Sequence, residues 1–176
     1  MVLETLGHIK NELRRWLEGA GKVVIVGVGS PLRRDDSAGL AVVRELEMLG
    51  ASDIEGVELL EAGSAPANIL GKLDSLGPSH IILIDAADHG SRPGSVRLVR
   101  PEEARSGHII TTHTLPLGFL CSYVEREAGA RTIIIGIQPK DLGLGEGLSP
   151  EVERASRSLA RALYEVLLAV KRGRHI

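Results

Sequence analysis

Three runs of large apolar residues limit what this chain can fold into. They lie at Val23–Val26, His80–Ile84 and Thr132–Ile137. A strand with one solvated face alternates apolar and polar residues, whereas a strand covered on both faces is apolar almost throughout. Segments with helical periodicity separate these runs. The pattern predicts an α/β fold of three layers (α/β/α), in which a twisted, mostly parallel sheet lies between helices, as in phosphorylase/hydrolase-like folds.

The predicted sheet has five strands. Besides the three apolar runs, Val57–Leu60 predicts a short strand, and the alternating Ser95–Val99 predicts an exposed or edge strand. The predicted helices are Val2–Glu18, Ala38–Leu49, Pro66–Leu76, Leu115–Glu127 and Ser149–Lys171. Because no repeat or low-complexity linker divides the chain, we expect residues 1–176 to form a single domain.

Composition excludes several classes of protein. With 43% hydrophobic and 25% charged residues, the chain has the balance of a globular protein, not a disordered one. A net charge of -2 and only 2% aromatic residues argue against nucleic acid as a partner. No apolar run approaches the roughly 20 residues that span a bilayer, and the N-terminus lacks the apolar centre of a signal peptide. We therefore expect a cytoplasmic protein without membrane insertion.

Polar residues concentrate in three loops at predicted strand ends. In parallel sheets, ligands bind outside the carboxyl ends of the strands, so these loops are expected to meet at one edge. The loops are Gly27–Gly39, Asp85–Gly90 and Thr111–Leu117.

Two aspartates and one histidine in these loops form a candidate metal site. Asp36, Asp85 and His113 supply carboxylate and imidazole ligands, which suit zinc, nickel, iron and manganese about equally. A structural role is the alternative for each. Asp35 or Asp36 would cap the following helix, Asp85 would be a hydrogen-bonded loop acid, and His113 would be a structural or surface histidine.

A nucleotide-binding module is a second hypothesis. Gly27-Val28-Gly29 follows a strand and precedes a helix, and Glu61 lies where a dinucleotide fold places a ribose-binding acid. However, Leu32 occupies the position of the third glycine of that fingerprint. The only cysteine, Cys121, lies within a predicted helix, which favours a buried thiol over a nucleophile.

Several motifs together resemble those of the hydrogenase maturation endopeptidases. The first is the segment Gly27–Gly39, with its paired glycines and Asp35-Asp36. The others, in the family's order, are Ile84–Ala86, Thr112–Leu117, Gly136–Pro139 and Leu148–Val152. Thr112–Leu117 has the form Thr-His-x-x-Pro-Leu, which is similar to the motif in the branch of the family that serves formate-hydrogenlyase-type and membrane-bound hydrogenases. The likeness covers nearly the whole chain after the first helix.

The resemblance implies an endopeptidase, aspartic-type or metal-directed. It would remove the C-terminal extension of the nickel–iron hydrogenase large-subunit precursor after nickel insertion. The family's nickel-binding residues, here also taken as catalytic, correspond to Asp36, Asp85 and His113, while Asp35 has a supporting role at the helix start. Nickel would arrive in the precursor and would not be a permanent cofactor. The alternative is an escort that binds the nickel-loaded precursor without cutting it.

Two residues depart from the family pattern in the first motif. Ser30 replaces the usual asparagine, and Ser37 replaces a glycine. Serine hydrogen-bonds well in turns, so Ser30 is expected to act similarly. Ser37 would be strained if the family's glycine has positive φ, and would otherwise serve as a helix N-cap.

Overall fold

The structure is a computed structural model that describes residues 2–106, 110–111 and 117–173. Helices and strands alternate along most of its length. In chain order they are α1 (Val2–Trp16), β1 (Val23–Val28), α2 (Ala38–Met48), β2 (Val57–Gly63), α3 (Leu70–Leu76), β3 (His80–Asp88), β4 (Val96–Val99), α4 (Pro101–Arg105), β5 (Ile110–Thr111), α5 (Leu117–Ala128), β6 (Arg131–Ile137) and α6 (Pro150–Arg172).

The central sheet has the strand order β2-β1-β3-β6-β4. β1 pairs in parallel with β2 and β3, and β3 pairs in parallel with β6. β4 runs antiparallel to β6 at the edge. The predicted five-stranded, mostly parallel sheet with an edge strand in the region of Ser95–Val99 is therefore confirmed. The short β5 adds an antiparallel pairing at the end of β3.

Apolar side chains fill both faces of the sheet. Along β1, Val23 and Ile25 belong to one hydrophobic cluster, with residues of α1, α2 and α6. Val24 and Val26 belong to the other, with residues of α3 and α5. Each fully buried side chain of this kind contributes about 1.5–3 kcal/mol relative to an exposed one. This two-sided burial explains the uninterrupted apolar runs and confirms the three layers.

Most element boundaries agree with the sequence prediction to within two residues. β2 extends three residues beyond its predicted end, to Gly63, and other regions also differ. The segment Pro66–Ile69 is a 3-10 turn, so the α-helix that follows it begins at Leu70. The prediction also missed α4 and β5, because five and two residues are too few to show a periodicity. Within the described part of the chain, no helix is long and apolar enough to cross a membrane.

β3 is longer than predicted, which changes the setting of Asp85. The strand was expected to end on Asp85, but it continues to Asp88 because β6 pairs as far as Ala86 and β5 pairs with Ala87 and Asp88. Asp85 is therefore held inside a strand, where it pairs with Gly136 of β6.

Candidate functional site

The carboxyl ends of β1 and β3 bring Asp36 and Asp85 to the same edge of the sheet. β1 and β3 are parallel neighbours, with Gly27 in register with Ile84. The chain leaves β1 into a 3-10 turn, Arg34–Ser37, which packs against β3. Two of the three predicted site residues thus lie on adjoining elements at the edge where parallel sheets bind ligands.

Asp36 is almost wholly buried, with 1% of its surface exposed. Its Oδ2 accepts a hydrogen bond of 3.0 Å from the backbone N–H of Ser30 in the loop after β1. Gly29 lies against its backbone: a Cβ on Gly29 would be 1.9 Å from the carbonyl oxygen of Asp36. The loop is therefore folded tightly around the residue that carries the carboxylate.

Asp85 has no exposed surface and is in register with Gly136 of β6. Removing a carboxylate from water is costly unless the protein or a cation compensates for the charge, so this position is unusual for a central strand. His113 lies outside the described residues. Among the residues that are described, no group of three His, Cys, Asp or Glu side chains is close enough to hold a metal ion. A three-ligand site at this edge therefore depends on His113.

Asp35 is fully buried next to Asp36 but has different surroundings. Its carboxylate accepts hydrogen bonds from the backbone N–H groups of Lys140, Asp141 and Ser149 and from the Ser149 hydroxyl. Burial alone would raise the pKa of Asp35, but these hydrogen bonds outweigh burial and hold the pKa below its ordinary value. Asp35 is therefore a structural carboxylate.

The alternative hypothesis, that an aspartate of this pair caps the following helix, is wrong. Neither the 3-10 turn nor α2 has a side-chain cap hydrogen bond. Asp35 bonds instead to residues more than 100 positions away in the sequence. Sequence reasoning predicted a supporting role for Asp35 but assigned it to the wrong helix.

Gln138 links the loops that follow β3 and β6, and sequence reasoning gave it no role. Its Oε1 accepts from the backbone N–H groups of His89 and Ser91, and its Nε2 donates to Asp88. Burial lowers the pKa of His89, which favours the neutral ring at pH 7. The sequence feature that could have identified Gln138 is its position directly after a buried strand, in a segment that resembles a family motif.

Comparison with known proteins identifies the family. A family model described as hydrogenase maturation protease matches residues 40–166 of this chain. The chain belongs to the hydrogenase maturation protease family. It is 32% identical to a protein of Methanocaldococcus jannaschii provisionally named a hydrogenase maturation protease, over 93% of this chain and 98% of the relative. It is 28% identical to the hydrogenase 3 maturation protease of Escherichia coli K12, over 80% of this chain and 87% of the relative.

A solved maturation protease has the same fold. The crystal structure of the [NiFe] hydrogenase maturation protease HycI from Thermococcus kodakarensis matches with a TM-score of 0.78 and 28% identity. The match covers 89% of this chain and 98% of that structure. The family expectation drawn from the motifs is therefore confirmed. The part of this chain that the family model matches includes Asp85 and His113. It begins shortly after the turn that carries Asp36.

The two departures from the family pattern leave the turn intact in this chain. Ser37 has φ -82° and ψ 6°, so the serine is not strained, and its hydroxyl donates to the carbonyl oxygen of Arg34. Ser37 is the N-cap residue of α2 without making a side-chain cap bond. The strained residue is Arg34, whose φ of 45° lies in the left-handed region that non-glycine residues rarely adopt.

The geometry of the glycine loop argues against the nucleotide hypothesis. The backbone N–H of Gly29 donates to Gly63, and that of Ser30 donates to Asp36, so both groups are engaged within the protein. Glu61, the candidate ribose-binding acid, forms a two-point ion pair with Arg44 at 2.8 and 3.0 Å. The glycines of this loop thus serve close backbone packing.

The structure agrees with a buried, unreactive Cys121. The thiol lies in α5 with no exposed surface, and burial raises its pKa to about 11.

Because the thiolate is the nucleophile, Cys121 is expected not to react with dithionitrobenzoate at pH 8 until denaturant unfolds the protein. The pKa is higher in the folded state, so the native protein should lose stability as pH rises towards 11. Rapid labelling of the native thiol would contradict this assignment.

Proposed function

We propose that this chain is the endopeptidase that removes the C-terminal extension of a nickel–iron hydrogenase large-subunit precursor after nickel insertion. Nickel already bound in the precursor serves as the recognition element. The proposal assigns metal contact and catalysis to Asp36, Asp85 and His113. Family membership supports the general activity, and the named relatives act in hydrogenase maturation as proteases.

The observation that carries the proposal is the burial of two carboxylates at one edge of the sheet. Asp36 is 1% exposed and Asp85 is fully buried, and they lie on neighbouring elements. A carboxylate pair of this kind is suited to a divalent cation. With an imidazole as third ligand, the site would leave coordination positions open for the precursor and for water.

Peptide-bond hydrolysis requires water to add to the scissile carbonyl and the amine to leave. A metal ion held between precursor and protease would polarise the carbonyl oxygen or activate the attacking water. A carboxylate that accepts a proton from the attacking water and passes it to the leaving amine is the other route. The first route needs Asp36 and Asp85 to face the precursor-bound metal, and the second needs one of them to face the attacking water.

Exposed apolar side chains beside the site suit a polypeptide substrate. Leu32 is 60% exposed and Leu144 is 83% exposed. The two loops that carry them are joined where the backbone N–H of Gly145 donates to the carbonyl oxygen of Leu32, at 2.9 Å. A chain segment that enters the site would find apolar contacts on this rim.

The decisive test is mass spectrometry of the cognate precursor after incubation with this protein. We expect loss of one C-terminal peptide from the nickel-loaded precursor and no change in the nickel-free precursor. Asp36→Asn is the matched variant, because it keeps the size of the side chain and removes its charge. It should leave the loaded precursor intact.

Each other outcome contradicts a defined part of the proposal. Cleavage of the nickel-free precursor at the same rate would show that nickel is not the recognition element. If a verified nickel-loaded precursor forms a complex with this protein but keeps its mass, the escort alternative is correct instead. An unchanged mass without complex formation would reject both functions for that precursor.

A further inference from the structure

The carboxylate of Asp35 joins two loops that are far apart in the sequence. Its Oδ2 accepts hydrogen bonds from the N–H groups of Lys140 and Asp141, both at 2.9 Å, and from the hydroxyl of Ser149 at 2.8 Å. Its Oδ1 accepts from the Ser149 N–H at 2.6 Å. All four donors belong to the segment between β6 and α6. Asp35 therefore anchors the turn after β1 to the loop after β6.

Backbone hydrogen bonds extend this anchor along the turn. The N–H of Arg34 donates to the carbonyl oxygen of Gly145 at 2.9 Å, and the N–H of Asp35 donates to that of Asp141 at 3.1 Å. Arg34 keeps its positive φ of 45° at this point. A strained conformation persists only where the surroundings determine it, and strain of this kind concentrates at functional sites. The anchor thus holds the turn in a conformation that it would not keep alone.

Asp36 is the next residue, and its side chain is held from the other side of the turn. Its Oδ2 accepts from the N–H of Ser30 at 3.0 Å, and Gly29 packs against its backbone. The loop after β1 therefore holds the Asp36 carboxylate on one side of the turn, and the Asp35 anchor holds the turn on the other.

We propose that Asp35 is a positioning residue for Asp36. Its buried carboxylate fixes the turn to the loop after β6, so that the carboxylate of Asp36 meets the precursor-bound metal in one orientation. This inference rests on the proposed function, because the group that is positioned is the proposed metal contact. The alternative is that Asp35 only stabilises the start of α6, whose N-cap residue is Ser149.

Three variants separate these two roles by their kinetics. Asp35→Asn keeps one carbonyl oxygen and cannot accept bonds at both positions, and Ser149→Ala removes one of the four bonds. Ser156→Ala is the matched control, because Ser156 is buried in α6 near Ser149 and its hydroxyl donates to the carbonyl oxygen of Val152. We expect Asp35→Asn to lower kcat for precursor processing about 10- to 100-fold, the range for residues that orient a metal ligand.

The distribution of the effect between kcat and KM is the first criterion. KM should rise less than kcat falls, because Asp35 bonds to the loop of Leu144 at its two ends, while the backbone bond from Gly145 to Leu32 that joins the rim stays in place. Ser149→Ala should lower kcat by less, and Ser156→Ala should match the wild type. If Asp35→Asn retains the wild-type kcat, or if Ser156→Ala loses as much activity as Ser149→Ala, the positioning role is wrong.

Hydrogen exchange of the Ser30 amide is the second criterion and needs no substrate. Asp35 does not bond to Ser30, whereas Asp36 does, so this amide reports the placement of the Asp36 carboxylate. We expect faster exchange of the Ser30 amide in Asp35→Asn while amides at the centre of β3 keep their rates. If exchange increases only at Lys140, Asp141 and Ser149, Asp35 merely anchors the second loop, and the proposal is overturned.

These criteria keep the inference separate from the proposed function. If the wild-type protein leaves the nickel-loaded precursor uncut, the proposed function fails, and the Ser30 exchange rate still decides whether Asp35 positions Asp36. If Asp35→Asn does not fold, Ser149→Ala with its Ser156→Ala control decides both criteria. A normal Ser30 rate and a normal kcat in Ser149→Ala would then overturn the inference.

Discussion

Replacement of Asp36, Asp85 or His113 by alanine is expected to abolish precursor processing while the protein stays folded. Each change removes one proposed contact to the precursor-bound nickel. The rate should fall by at least about 100-fold, the upper end of the effect of residues that only orient a metal ligand. A mass-spectrometric time course with the nickel-loaded precursor measures the rate, and thermal unfolding followed by circular dichroism checks the fold.

An exposed carboxylate elsewhere supplies the control for these three variants. Asp74 lies on the exposed side of α3, and Asp74→Ala should process the precursor at the wild-type rate. Full processing by any one of the three site variants would remove that residue from the site. Loss of activity together with loss of the folded signal would assign the residue a structural role instead.

Gly39→Ala is expected to cause a large loss of stability. A Cβ at this position would lie 2.1 Å from the carbonyl oxygen of Ile84 and 2.5 Å from that of Val28. Both contacts are with backbone in the central sheet, so α2 would have to move away from β1 and β3. Overpacking typically costs 1–3 kcal/mol, and we expect about 3 kcal/mol here. For a chain of this length the melting temperature should fall by about 6–12 °C.

Gly71→Ala is the matched control for this prediction. Gly71 lies in α3, and no atom is within 4 Å of a Cβ placed there. Because alanine restricts the unfolded chain without strain in the folded one, Gly71→Ala should be stabilising by about 0.5 kcal/mol. Differential scanning calorimetry of both variants measures the two effects. If Gly39→Ala has the same melting temperature as the wild type, α2 does not approach the sheet as closely as the structure shows.

The comparison of Asp36 and Asp35 shows how far sequence reasoning reaches at the site. Both aspartates follow a buried strand and precede a helix, so their positions predict a place at the ligand-binding edge, and the structure puts them there. Their neighbours along the chain do not distinguish them. The difference comes from Ser149 and Lys140, which are more than 100 residues away in the sequence and donate hydrogen bonds to Asp35.

Asp85 shows the same limit for element boundaries. The apolar run before it predicts a strand, but the end of a strand depends on where its neighbours stop pairing. β6 and β5 extend the pairing past Asp85 to Asp88. No property of the residues around Asp85 alone could reveal this, because a ladder of hydrogen bonds involves two chain segments.

The layered α/β architecture, the order of most elements and the family could all be inferred from the amino-acid sequence. Those properties follow from apolar periodicity and from motifs, which are local along the chain. Three-dimensional packing was needed to show which carboxylate is an anchor, why Gly29 and Gly39 must be glycine, and that Glu61 pairs with Arg44. Such features depend on distances of a few ångströms between distant segments, and packing of the whole sheet and its helices sets those distances.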